Sequence, residues 1–396
     1  MQKYITKTPD GTRDLLFEEC ELHSQVKNRL SALFMSRGYY EVVTPALEYY
    51  DLFSLPGAAF SQTEMIKVTE QGGRLLVLRP DSTMPIARLV STRLKDAPLP
   101  IRLHYAQKVY RVAPGLKGRS NEITQSGVEL IGAEGLLYDL ETILTAAKAL
   151  EACSMADYKI ELGHAGIFGA LAADLPVDED EKEEIRLLIE SKSYSALEDL
   201  LDRLPESDAA AAIRMLPRLF GGKEVLEQAA GIFGGRAEKE LAYLRELLTR
   251  LEPALGDRIN LDLGLVHRNN YYTGVVFRAY LPGSGDTVVS GGRYDRLFDA
   301  FGSRRPAVGF AVDDDAITAI LLAEREEQQK SRRKILFAEA GYEMKALARL
   351  EELTAAGVVC EVLPFGDKQE SLAIARDRSA AEIELIGELT EIIRLV

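Results

Sequence analysis

The sequence predicts an α+β protein: an antiparallel sheet flanked by helices, interrupted by a helical insertion and followed by a small α/β domain. Two strand-like runs, 104–111 and 122–131, flank a loop rich in glycine and basic residues and outline a long antiparallel hairpin. Between about 165 and 256 the texture changes to Ala, Leu, Glu and Arg at helical spacing. Beyond 335, strand and helix patterns alternate in the rhythm of an α/β unit.

Taken in order, residues 15–37 place Leu22, Val26, Leu30, Leu33 and Phe34 on one helical face, with Gly38 as the stop. A β-type run, 39–45, follows and is closed by Pro45, which cannot donate to a ladder. Residues 74–78 read as a second strand. It ends at Arg79-Pro80-Asp81-Ser82-Thr83, a turn and helix start, so 84–94 is the helix. Inside the insertion, 183–189, 197–204 and 238–251 carry the clearest helical periodicity, and strands return at 259–265, 271–280 and 287–290.

This makes residues 1–325 the core domain, 326–334 a polar linker and 335–396 the small domain. The last has strands at 335–338, 358–363 and 383–386 and helices near 342–355 and 368–378. About 60 residues is near the lower limit for independent folding, so docking on the main body or on a partner is expected.

Composition narrows the function. Hydrophobic content of 46% with 28% charged residues is that of an ordinary globular protein. The formal charge of −14 opposes non-specific attraction to nucleic-acid phosphate. Cys20, Cys153 and Cys360 are far apart with no Cys-x-x-Cys spacing, and His23, His104, His164 and His267 form no paired-ligand pattern. A disulfide framework and a structural zinc site are therefore not expected. No apolar core of signal-peptide length opens the sequence and no run of ~18 apolar residues occurs, so a cytoplasmic protein without membrane contact is expected.

Along 122–131, period two puts Ile123, Gln125, Gly127, Glu129 and Ile131 on one face. Gln125 and Glu129, about 13 Å apart with a glycine between them, could flank a small ligand; from this strand alone a half-exposed polar face is the favoured account. The wider order of motifs bears on this choice. It runs from Arg79-Pro80-Asp81-Ser82-Thr83 through Tyr110-Arg111 before the glycine-rich loop to Gln125-Ser126-Gly127-Val128-Glu129. Tyr271-Tyr272-Thr273-Gly274-Val275-Val276-Phe277, Gly291-Gly292-Arg293-Tyr294-Asp295 and Pro306-Ala307-Val308-Gly309-Phe310-Ala311 complete it. From about residue 8 to 320 this resembles a class II aminoacyl-tRNA synthetase of the histidyl type.

The resemblance implies a histidine-like ligand bound by Asp81, Thr83, Arg111, Gln125, Glu129, Tyr271, Tyr272 and Tyr294. The chemistry agrees, since carboxylates receive an α-ammonium and a glutamine or tyrosine hydroxyl engages an imidazole nitrogen. At the nucleotide side the chain departs from the synthetases. Ala113 stands where they carry a glutamate that reads ATP. His267 stands where an arginine precedes the double tyrosine, with Arg268 one place away. Asp313-Asp314-Asp315-Ala316 puts Ala316 where a phosphate-binding arginine belongs. A carboxylate meeting a phosphate charge at about 6 Å costs roughly 0.7–3 kcal/mol. Helix capping is the alternative role of the aspartates. Lys117 and Arg119 could touch phosphate or tRNA, although a solvated loop is the commoner reason for such residues.

The last segment looks like the start of a synthetase anticodon-binding domain, truncated. Its 12 acidic and 6 basic side chains give −6, a poor surface for an anticodon stem, so tRNA is not an expected partner. This combination is similar to the regulatory subunits of ATP phosphoribosyltransferase. The similarity implies a non-catalytic protein without a cofactor or metal. It would be required by a short-form catalytic subunit in the first step of histidine biosynthesis, linked to feedback inhibition by histidine and dimeric through the region around Pro45. A divergent active histidyl-tRNA synthetase and a free-standing histidine-binding module are the competing expectations.

Overall fold

The computed structural model describes residues 4–55, 61–112, 120–266, 271–326 and 333–395. Two compact units divide the chain, Met1–Leu322 and Ala323–Val396. The first unit opens with α1 (Phe17–Ser36), which buries Leu22, Val26, Leu30 and Phe34 at i, i+4 spacing and leaves Leu33 at the margin. Gly38 ends it in the left-handed region (φ +82°), and the Tyr39 N–H closes onto Phe34 O at 3.1 Å.

The elements that follow are β1 (Tyr40–Glu41), β2 (Leu47–Tyr49), β3 (Lys67–Thr69), β4 (Leu75–Leu78), α2 (Thr83–Arg93), β5 (Ile101–Tyr110), β6 (Glu122–Ile131), α3 (Leu136–Ala152) and β7 (Lys159–His164). Six helices come next: α4 (Ala165–Ala172), α5 (Glu179–Glu190), α6 (Tyr194–Leu201), α7 (Asp208–Met215), α8 (Glu224–Phe233) and α9 (Glu238–Leu255). The two-residue β8 (Phe220–Gly221) falls among them. The unit closes with β9 (Ile259–Asp262), β10 (Val275–Tyr280), β11 (Thr287–Arg293), β12 (Ala307–Asp313) and α10 (Asp314–Glu326).

A nine-stranded sheet in the order β1-β5-β6-β12-β11-β10-β7-β9-β8 organises this unit. From β5 to β7 all neighbours are antiparallel, and β1 joins β5 in parallel. The hairpin of β5 and β6 pairs continuously from Ile101↔Ile131 to Tyr110↔Glu122. One face of the sheet carries the large core: Val128 and Leu130 of β6 and Val308, Phe310 and Val312 of β12 pack with the inner faces of α1 and α3. Of the opposite parity, Gln125, Glu129, Gly309 and Ala311 line a cavity, and Gly127 lies against the Tyr105 ring.

The expected strand at 39–45 is shorter in the structure, and the one at 74–78 is found as β4. Within 39–45 only Tyr40–Glu41 pairs as a strand. Thr44 directs its N–H to Gln107 Oε1 at 3.3 Å and Pro45 has no N–H, so the ladder stops. Residues 75–78 are not in the main sheet; β4 is the centre of a separate sheet, β2-β4-β3. The second unit contains β13 (Lys334–Ala338), α11 (Glu343–Ala355), β14 (Cys360–Pro364), α12 (Lys368–Asp377), β15 (Glu382–Ile386) and β16 (Thr390–Arg394). Its strand order is β14-β13-β15-β16, with only β16 antiparallel.

Candidate ligand-binding site

A cavity of about 870 Å³ opens over the sheet, and Asp81, Thr83, Arg111, Gln125, Glu129, Tyr271, Tyr272 and Tyr294 all line it. Glu129 is its most enclosed acid. Thr83 Oγ1 donates to Glu129 Oε1 at 2.7 Å and the Tyr294 hydroxyl donates to Oε2. Room for this carboxylate exists because Gly309 is its cross-strand partner on β12; a Cβ there would collide with Glu129 Oε2. Burial, with Asp81 adding to it, pushes the Glu129 carboxyl up to about 7 against the two hydroxyl donors.

Asp81 sits in the turn that opens α2. The Met84 N–H donates to its Oδ1 at 3.1 Å, a helix-capping contact, while Oδ2 is buried with no hydrogen-bond partner among the described residues. Burial raises this carboxyl to about 6, opposed by the Met84 bond and by the charge of Arg111. Arg111, just past β5, gives its Nε–H to Pro80 O at 2.6 Å. The proline of the Arg-Pro-Asp-Ser-Thr motif thereby holds the guanidinium beside the aspartate.

Three tyrosines form one wall. Tyr271 lies 4.8 Å from Tyr272 and 5.5 Å from Tyr294, centroid to centroid, the second pair edge-on. Burial raises all three hydroxyls, so they are protonated at neutral pH; Tyr294 donates to Glu129, while Tyr271 is hydrogen-bonded with Thr83 and Tyr272 with Tyr271. Gly292 and Gly127 make the close approaches possible. A Cβ on Gly292 would come within 2.8 Å of the Tyr272 ring, and one on Gly127 within 2.6 Å of the Tyr105 hydroxyl oxygen.

The motif arginines Arg79 and Arg293 serve the frame. Arg79 donates to Thr44 O at 2.6 Å and to Lys108 O at 2.7 Å. Arg293 is buried on Asp139 of α3, Nη2 to Oδ1 at 2.5 Å, and also donates to Ala133 O at 2.9 Å. The aspartates at the start of α10 are likewise engaged. Asp314 accepts from Ser126 Oγ at 2.7 Å, Asp315 from Thr124 N at 2.7 Å, and Asp313 caps the helix by accepting from Ala316 N at 2.9 Å. Ala316 itself lines the cavity. Ala113, Lys117, Arg119, His267 and Arg268 lie outside the described residues.

Sequence reasoning does not single out Tyr105 and Arg278, and both line the cavity. The available signals are local: Tyr105 stands opposite Gly127, and Arg278 is the one charged residue within Val275–Tyr280.

Residues 11–317 match the family model described as histidyl-tRNA synthetase. The fold, the hairpin and the cavity thus define a class II synthetase-like protein of the histidyl-tRNA synthetase type. A histidyl-tRNA synthetase from Nostoc shares this fold, with a TM-score of 0.78 at 18% identity over 98% of this chain and 97% of that one. An ATP phosphoribosyltransferase regulatory subunit from Clostridium kluyveri is 39% identical over 384 residues, covering 96% of this chain and 97% of the relative. The Clostridium acetobutylicum protein of that name is 38% identical, covering 94% and 92%. A crystal structure from Bacillus halodurans, described as an ATP phosphoribosyltransferase regulatory subunit/histidyl-tRNA synthetase, superposes with a TM-score of 0.82 at 30% identity over 94% of this chain and 97% of that one. The chain belongs to the family of ATP phosphoribosyltransferase regulatory subunits.

Proposed function

We propose that this chain is a non-catalytic regulatory subunit of ATP phosphoribosyltransferase. It assembles with a short-form catalytic subunit in the cytoplasm, is required for the first step of histidine biosynthesis, and links that step to histidine. The observation that carries this reading is the contrast between the two ends of the cavity. At one end Asp81, Thr83, Glu129 and Tyr294 form a dense set of polar groups suited to an amine and an imidazole. At the other end, Asp313 and Asp315 present carboxylates and Ala316 a methyl group where adenylate chemistry needs cations. The substitutions at Ala113 and His267 point the same way.

In this reading the cavity recognises histidine or a histidine-like ligand and does not activate it. Inhibition through the complex requires histidine to bind its two states with different affinity. Self-association is supported by the exposed apolar side chains of Tyr40, Val43, Leu47 and Tyr49 around Pro45. The net charge of −6 over 335–396 supports a role without tRNA. Histidine-dependent ATP–pyrophosphate exchange tests the missing chemistry. The purified chain should give none above background, and robust exchange would overturn the non-catalytic reading in favour of a synthetase.

A further inference from the structure

Beside the tyrosine wall, the cavity is lined by Glu190 and Ser191 from the end of α5, Arg278 on β10 and Asp286 before β11. Its floor is low. Gly127, Ala311 and Ser290 oppose one another in register across β6, β12 and β11, and Arg278 on β10 is next in that row. At the ~4.8 Å spacing of neighbouring strands the row spans about 14 Å from Gly127 to Arg278, and the arginine side chain can shorten that gap. Tyr272 stands between the two sets of groups, within electrostatic reach of Glu129, Asp81 and Arg278 together.

Among the described residues lining the cavity, Arg111 and Arg278 are the only arginines or lysines. Arg111 is turned to Pro80 and faces the Asp81 charge. We propose that Arg278 receives the anionic end of the cavity's ligand while Asp81 and Glu129 hold its cationic end, so that Arg278 selects a zwitterion over an amine of the same shape. The surroundings of Arg278 sharpen this role. Glu161, Glu190 and Asp262 all lie within its electrostatic reach. Without the guanidinium, the lining carboxylates Glu190 and Asp286 are left to meet an incoming carboxylate and repel it.

The inference rests on the reading of the cavity as a histidine-type site. Calorimetric titration of the full chain with histidine and with histidinol separates the two, because histidinol keeps the amine and imidazole and replaces the carboxylate by an alcohol. Arg278→Ala should lose about tenfold or more in histidine affinity and stay within about threefold for histidinol, with Arg278→Lys recovering most of the loss. Should the alanine variant fail to fold, Arg278→Gln keeps the polar volume without the charge and carries the same expectation. Equal loss for both ligands, or no loss for either, overturns the proposal. So does a histidine-selective loss in Arg111→Ala that Arg278→Ala does not share. A wild-type chain that binds neither ligand removes the underlying reading of the cavity and the role of Arg278 with it.

Discussion

Glu129 accepts a hydroxyl donor on each carboxylate oxygen, and burial still holds its carboxyl near 7. The folded chain therefore binds more protons than the unfolded chain between about 4.5 and about 7. The stability contributed by this group is complete below the unfolded value and is lost as pH rises through about 7. Asp81 acts with the same sign between 3.8 and about 6. Glu129→Gln removes the titration while keeping an oxygen that accepts from Thr83 or Tyr294. Denaturation across pH 4.5 to 7.5 should show the wild type losing stability relative to this variant by on the order of 1–3 kcal/mol. Parallel curves for the two proteins would show that Glu129 does not carry the linkage.

The join between β6 and α10 is where element order becomes site geometry. Asp314 accepts both the N–H (3.2 Å) and the hydroxyl (2.7 Å) of Ser126, one residue after Gln125, and this ties β6 to the start of α10 at the aspartate-lined end of the cavity. Asp314→Ala should destabilise the fold by about 1–3 kcal/mol, the usual cost of leaving a buried polar group unpaired; chemical denaturation that finds under about 0.5 kcal/mol would contradict the anchoring role. Much of this geometry is legible in the sequence. Period two on 122–131 assigns Gln125 and Glu129 to one face, and helical spacing finds α1. Other parts are not legible. The strand β12 reads Ala-Val-Gly-Phe-Ala-Val-Asp, where a glycine that only makes room for Glu129 weakens the strand pattern. Helix α3 and strand β7 escape because no motif marks them. Arg278 escapes because its meaning comes from three cross-strand neighbours distant in sequence.

At the scale of the whole molecule, residues of the synthetase-type sheet and of the helical insertion both line the cavity, so a ligand in the proposed site would touch both. The acidic chain and its acidic second unit favour a protein partner over a nucleic acid. No described helix is long and apolar enough to cross a membrane. The central claim is that the chain acts through that partner and not by its own chemistry. Phosphoribosyl transfer to ATP by a purified short-form phosphoribosyltransferase, measured with and without this chain, tests it most directly. The account predicts that activity is low in the catalytic subunit alone, appears on mixing and saturates at a fixed ratio of the two chains. A catalytic subunit that is fully active alone and unchanged by addition of this chain would contradict it.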